Sequence, residues 1–141
     1  MTYELGFTGT QKGMTIRQHI TLCKIMGCFT HLHHGDCIGS DFEAHVLAKA
    51  FRQQIWVHPP LLEKKRAFCD GWGVRILEPK PYLSRNHDIA RCCDVLFATP
   101  RTGHPTNRSG TWFTVGYALS IGRPAFIILP DGKIINAKSL I

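Results

Sequence analysis

A chain of 141 residues has room for one ordinary domain, and its 44% hydrophobic, 19% charged composition excludes a disordered or fibrous protein. The formal net charge of +7 favours anionic partners. Its basic residues are dispersed, with Lys64-Lys65-Arg66 the one short run, so a small anionic ligand fits better than a nucleic-acid groove. No apolar stretch approaches the roughly 18 residues of a membrane span. The opening MTYELGFTGT lacks the basic start and apolar run of a signal peptide, so a cytoplasmic location is expected. Cys23, Cys28, Cys37, Cys69, Cys92 and Cys93 are scattered through the chain and read as free thiols.

YELGFTG (3–9) reads as a first strand with a glycine-containing exit. MTIRQHITLCKIMGC (14–28) reads as a helix capped by Thr15, with Ile16, Ile20, Cys23 and Met26 near one face. FTHLHHG (29–35) is a short second strand, and DFEAHVLAKAFRQ (41–53) a second helix with Phe42, Val46 and Ala50 as its apolar stripe. QIWVHPP (54–60) is a third strand, ended by two prolines that cannot extend a ladder. The segment 61–80 carries no periodic pattern. PYLSRNHDIARCC (81–93) reads as a helix with proline in its first turn. DVLFATP (94–100) is a buried strand and RTGHPTNRSG (101–110) a turn-rich loop. GTWFTVGYALSIG (110–122) is a helix closed by Gly122. RPAFIILP (123–130) is the last buried strand; the tail is left to a short hairpin or to packing on the sheet. Strands alternate with helices, and the unbroken apolar runs suit strands covered on both faces. The expectation is one α/β domain over 1–141, a Rossmann-like three-layer sandwich with a mostly parallel, doubly wound sheet of about five strands.

In such sheets ligands bind beyond the carboxyl ends of the strands, where the strand order reverses. Those positions are polar and glycine-rich in this chain. After the first strand comes TGTQKG, with Thr8, Gly9, Thr10 and Lys12; after the second comes HGDCIGSD, with Gly35, Asp36, Gly39 and Asp41; before the last helix comes RSGT, Arg108 to Thr111. Glycines let the backbone approach a phosphate, helix N-terminal N–H groups point at it, and hydroxyls and cations add to the grip. Plain helix capping accounts for the same residues. Asp36 can accept hydrogen bonds from ribose hydroxyls, whereas Asp41 reads first as a helix cap. Cys37 near a helix start is a candidate nucleophilic thiol. His31, His33, His34 and Cys37 lack a metal-ligand spacing, so no metal and no cofactor are expected. Arg85 offers a fork for phosphate or carboxylate beside Asn86, or else a surface ion pair with Asp88.

Three stretches, GDCIGSDFEAHVLAK, YLSRNHDIARCCDVLFATP and SGTWFTVGYALSIGRPAFII, together resemble the SLOG superfamily, which includes the LOG phosphoribohydrolases and the Smf DNA-processing proteins. Gly35, Gly39, Ser40 and Asp41 match its first motif, Arg85-Asn86 the second, and Pro100 with Gly110-Thr111 the last two. The resemblance implies a nucleotide-like ligand in the cleft; with the loop residues read above, the expected contacts are Thr8, Gly9, Thr10, Lys12, Gly35, Asp36, Gly39, Asp41, Arg85, Asn86, Pro100, Arg108, Ser109, Gly110 and Thr111. It also implies a homo-dimer or larger homo-oligomer. One departure matters. Hydrolytic members carry a glutamate where this chain has Thr114, which cannot hold charge against an oxocarbenium-like centre. The leading expectation is therefore binding without cleavage. An N-glycosidase or ribosyl-transfer enzyme is the alternative, using Asp36, Glu43 or Asp88 as a displaced carboxylate. A nucleic-acid-binding accessory module, with Trp56, Trp72 and Trp112 lining a groove, is the third reading.

Overall fold

The computed structural model describes residues 1–106 and 109–140. Its elements run β1 (Glu4–Gly9), α1 (Ile16–Met26), β2 (His31–His34), α2 (Ser40–Ala50), β3 (Gln54–Val57), β4 (Val74–Ile76), α3 (Tyr82–Cys92), β5 (Val95–Thr99), α4 (Gly110–Ser120), β6 (Ala125–Ile128) and β7 (Ile134–Asn136). The strands form one sheet in the order β4-β3-β2-β1-β5-β6-β7. All neighbours pair parallel except β6 and β7. The Rossmann-like, mostly parallel sandwich is therefore present, with seven strands rather than about five. The extra two are β4, inside the segment that shows no period, and β7, the antiparallel return of the tail. Helices α1 and α2 pack together on one side of the sheet and α3 and α4 on the other.

Each local choice has a cause. Thr15 caps α1 in a capping box: its hydroxyl accepts from Gln18 N while the Gln18 side chain accepts from Thr15 N. Gly122, at φ 76°, follows the last turn of α4 in the left-handed conformation that glycine adopts without strain. All five residues of β5 are buried, as a strand covered on both faces must be. Leu5, Phe7, Leu22, Leu32 and Ile55 fill the core on the α1/α2 side; Ile89, Leu96, Val115 and Ile127 fill the other. Each such side chain contributes about 1.5–3 kcal/mol by leaving water.

Two predicted helix faces are corrected. On α1 the structure buries Gln18, Leu22 and Met26, leaving Ile16 80% and Ile20 50% exposed. On α2 it buries Ser40, Asp41, Ala44, His45 and Ala48, with Phe42 48% and Val46 52% exposed and Ala50 at the surface. Polar groups face inward because each finds a partner there: Gln18 Nε2 donates to the carbonyls of Pro100 and Ile128, and Ser40 Oγ to that of Thr10. All six cysteines are free. Among the described residues no helix is long and apolar enough to cross a membrane.

Candidate functional site

The chain leaves β1 in one direction for β2 and later returns on its other side as β5. That reversal opens a crevice beyond the carboxyl ends of these strands. A cleft of about 560 Å³ occupies it, walled by the loop after β1, the β2–α2 turn, the first turns of α3 and α4, and residues from the loop after β5.

Gly35 sets the spacing of the floor. A Cβ there would lie 2.4 Å from Arg85 Nη1 and 3.1 Å from Asp41 Oδ2, so only glycine lets these two groups close on the backbone. Gly39, at φ 86°, turns the chain into α2; a Cβ would meet the Gln11 carbonyl oxygen at 2.3 Å. Beyond that turn Asp41 faces the cleft. Its Oδ2 accepts from Gly35 N and Cys37 N, each at 3.2 Å. Its Oδ1 is buried and has no hydrogen-bond partner among the described residues. Burial raises the Asp41 carboxyl to about 6, against the opposing pull of the Arg85 charge.

Arg85 is 2% exposed. Its Nε donates to Asn86 Oδ1 at 2.7 Å, Nη1 to the carbonyls of Gly35 and His58, and Nη2 to Cys37 Sγ at 3.7 Å. The Tyr82 ring lies over the guanidinium, 4.5 Å from Cζ to centroid. Among the described residues no carboxylate oxygen comes within ion-pairing distance of Arg85. Its direct partners are neutral acceptors, and the Asp41 carboxyl acts on it only through space across the floor of the cleft. Lys12 and Arg101 add cations nearer the mouth. On the far wall Ser109 caps α4 by accepting from Trp112 N, and the helix opens on Gly110-Thr111.

No family model matches the chain, and no curated protein matches its sequence. Solved structures do. The molybdenum cofactor binding protein from the phototrophic bacterium Rippkaea orientalis superimposes with TM-score 0.66 at 18% identity, over 90% of this chain and 76% of that one. The Moco carrier protein from Chlamydomonas reinhardtii gives 0.59 at 19% identity, over 92% and 77%. DNA processing protein A (DprA) from Streptococcus pneumoniae gives 0.68 at 17% identity, over 89% of this chain and 50% of DprA. The chain shares the fold of these three proteins. The chain thus spans about half the length of DprA.

This fold brings Thr8, Gly9, Thr10, Lys12, Gly35, Asp41, Arg85, Asn86, Ser109, Gly110 and Thr111 to one cleft. Other expected residues lie elsewhere. Asp36 is fully buried behind the floor, with Oδ2 bound by Arg66 Nε at 2.5 Å and Oδ1 by Cys69 N at 2.8 Å. Its carboxylate is occupied and does not face a sugar. Asp41, read first as a cap, is instead the cleft's carboxylate; α2 has no side-chain cap. Gly39 shapes the turn without lining the cleft, and the Pro100 carbonyl is taken by Gln18. Arg108 lies outside the described residues. Asp88 lines a smaller cavity of about 260 Å³ and pairs with Lys80 and Arg91, not with Arg85. Glu43 accepts from Met14 N. Thr114 is buried, its hydroxyl donating to the Gly110 carbonyl inside α4. Burial and the neighbouring Asp41 push the Cys37 thiol up, which removes the activated-nucleophile reading. The sequence reading missed Gln11, Tyr82, Arg101, Thr102 and Thr106 on the walls. The turn-rich character of 101–110 was the one signal for the last three. Trp112 reaches the cleft from the core, whereas Trp56 stacks on His33 and Trp72 is 94% exposed. The three tryptophans do not line one groove.

Proposed function

We propose that the cleft binds a phosphate-bearing nucleotide or nucleotide-derived small molecule and holds it without cleaving it. The observation that carries this is the buried pair on the floor. Asp41 presents an acceptor oxygen with no donor, and Arg85 presents a charge that no carboxylate contacts directly. A ligand with N–H or O–H groups at one end and anionic oxygens at the other satisfies both. Lys12, Arg101 and the start of α4 suit the phosphate; Tyr82 and Trp112 suit a flat ring system. Two proteins of like fold are named for binding or carrying the molybdenum cofactor, which supports a small-molecule ligand. The absence of a glutamate at Thr114 supports retention of the ligand intact.

The test is thermal shift against nucleosides, nucleotides, cyclic nucleotides and dinucleotide cofactors, with chromatography of each mixture for released base. A shift without base release, lost in Arg85→Ala, is the expected result. Base release overturns the non-cleaving reading. No shift with any compound overturns the ligand cleft.

One observation favours a second reading, an N-glycosidase or ribosyl-transfer enzyme. A buried carboxyl with a pKa of about 6 lies in the range of a general acid or base. The likeness to DprA keeps a nucleic-acid role as a third. The outward apolar residues Ile16, Ile20, Phe42 and Val46 on adjacent helices support a homo-oligomer.

A further inference from the structure

Two clusters of imidazole and thiol groups lie outside the cleft, His33 with His58 and Cys92, and His34 with His45 and Cys69. Within each, the ligand atoms all lie within 4.8 Å of one another. They differ in which ring nitrogens are free. His34 Nδ1 accepts from Asp36 N at 2.9 Å, so its inner nitrogen, Nε2, carries the proton and donates to His45 Nδ1. That wire is complete as it stands. Turning His34 Nε2 into a metal ligand would set an Nδ1–H against the Asp36 N–H.

The other cluster has the opposite polarity. His33 Nε2 donates to Glu4 Oε1 at 2.7 Å, which leaves the Nδ1 lone pair aimed at His58 Nε2, 2.9 Å away. A carboxylate behind a histidine is the arrangement that orients a metal-bound imidazole. His33 and His58 are each 4% exposed, while Cys92 is exposed and gives the group a mouth to solvent. The charges facing the group are Glu4 beside His33, Asp94 and Asp88 nearby, and opposite them Lys80 and Arg85. Lys80 is held by Asp88, and Arg85 is turned to the Gly35 and His58 carbonyls.

We propose that His33 Nδ1, His58 Nε2 and Cys92 Sγ form a binding site for a divalent transition metal of the zinc class, with one coordination position open. Two imidazoles and a thiolate suit zinc, and three protein ligands leave a fourth place for water or an incoming group. Binding releases the Cys92 thiol proton to solvent and moves the His58 proton from Nε2 to Nδ1. The ring nitrogens part by about half an ångström to take up metal–nitrogen bonds of ~2.0–2.1 Å. The His58 carbonyl accepts from Arg85, so the site backs directly onto the proposed ligand cleft.

Cobalt(II) titration of the reduced, chelator-stripped protein is the test, with zinc displacing cobalt at the end. A thiolate-to-cobalt charge-transfer band, with visible bands of tetrahedral intensity, is expected at one equivalent. Cys92→Ser, at an exposed position, removes the charge-transfer band while circular dichroism stays native. Glu4→Gln weakens affinity by roughly 10–100-fold. Cys69→Ser leaves the spectrum unchanged. No band in the parent protein, a band that survives Cys92→Ser, or one lost in Cys69→Ser overturns the proposal. None of these readouts depends on the cleft ligand.

Discussion

Asp41→Asn separates stability from binding at a single atom. Asparagine keeps an oxygen for Gly35 N and Cys37 N and places an amide where the unpartnered Oδ1 now sits. The folded carboxyl titrates at about 6 against an ordinary value of 3.8, because burial outweighs the attraction of Arg85. A raised carboxyl pKa means that the folded state holds the proton more tightly than the unfolded chain does. The stabilisation from that proton is full below pH 3.8, is lost as pH rises through about 6, and is absent above it. The gap between the two values corresponds to roughly 3 kcal/mol. The variant never ionises there, so relative to the parent it gains up to ~3 kcal/mol between pH 4 and pH 7, worth roughly 10 °C in Tm for a domain of this size. Urea and thermal melts of both proteins at pH 4, 5.5, 7 and 8 measure the difference, in which every other titrating group cancels. Ligand-induced shifts fall in the same variant, because an amide donor replaces the acceptor the ligand needs. A stability difference that is flat with pH would refute the buried-carboxylate argument. A stabilised variant with undiminished ligand shifts would refute its role in binding.

Arg85→Ala is expected to abolish ligand shifts and to cost about 3 kcal/mol in chemical denaturation, since it strips donors from the Gly35 and His58 carbonyls and from Asn86. Arg85→Lys restores less than about a tenth of the affinity, because a point charge cannot reproduce the fork; calorimetry checks both. Gly35→Ala forces a methyl onto the Arg85 guanidinium and weakens ligand binding at least tenfold in the same assay. Arg66→Ala strands the buried Asp36 carboxylate and costs roughly 3–5 kcal/mol by urea melt, while ligand affinity in the folded protein stays unchanged. Phe42→Glu with Val46→Glu reduces the mass found by light scattering to that of one 15.9 kDa chain.

The sequence made the centre of the sheet plain. VLFA and AFII carry no polar interruption, as strands covered on both faces do. The edges were hidden. VRI in β4 has two exposed residues in three, so burial imposed no pattern on it. The helix faces misled for a related reason. Ile16, Ile20, Phe42 and Val46 keep helical spacing but point outward, while the inward faces use Gln18, Ser40, Asp41 and His45 to answer backbone groups of the loops. The cleft was legible in its glycines and in Arg85-Asn86. Which aspartate faces it was not. Asp36 sits at φ 60°, a left-handed turn that directs its carboxylate to Arg66 and Cys69 and leaves Asp41 for the cleft. Hydrophobic periodicity carries no information on such a turn. His33, His58 and Cys92 were equally invisible as a set, since β2, the residue just after β3 and the end of α3 bring them together.

The Asp41 carboxyl also bears on whether the cleft performs chemistry. Breaking an N-glycosidic bond asks for two things at once: an anion beside the developing oxocarbenium centre and a proton for the departing base. One carboxyl near pKa 6 supplies either, according to its protonation, and not both in the same turnover. Among the described residues Asp41 is the sole carboxylate lining the cleft. Asp36 is bound to Arg66, Glu43 to Met14 N, and Asp88 faces another cavity. Thr114, where the resemblance to the LOG phosphoribohydrolases implies a glutamate, directs its hydroxyl into its own helix. The absence of a second carboxylate among the described lining residues agrees with the proposal that the cleft holds its ligand intact. If Asp41 were the acid of a cleaving enzyme, base release would fall as pH rises through about 6 and vanish in Asp41→Asn. The expected result is no release from pH 5 to 8 in either protein, with ligand shifts smaller in the variant than in the parent.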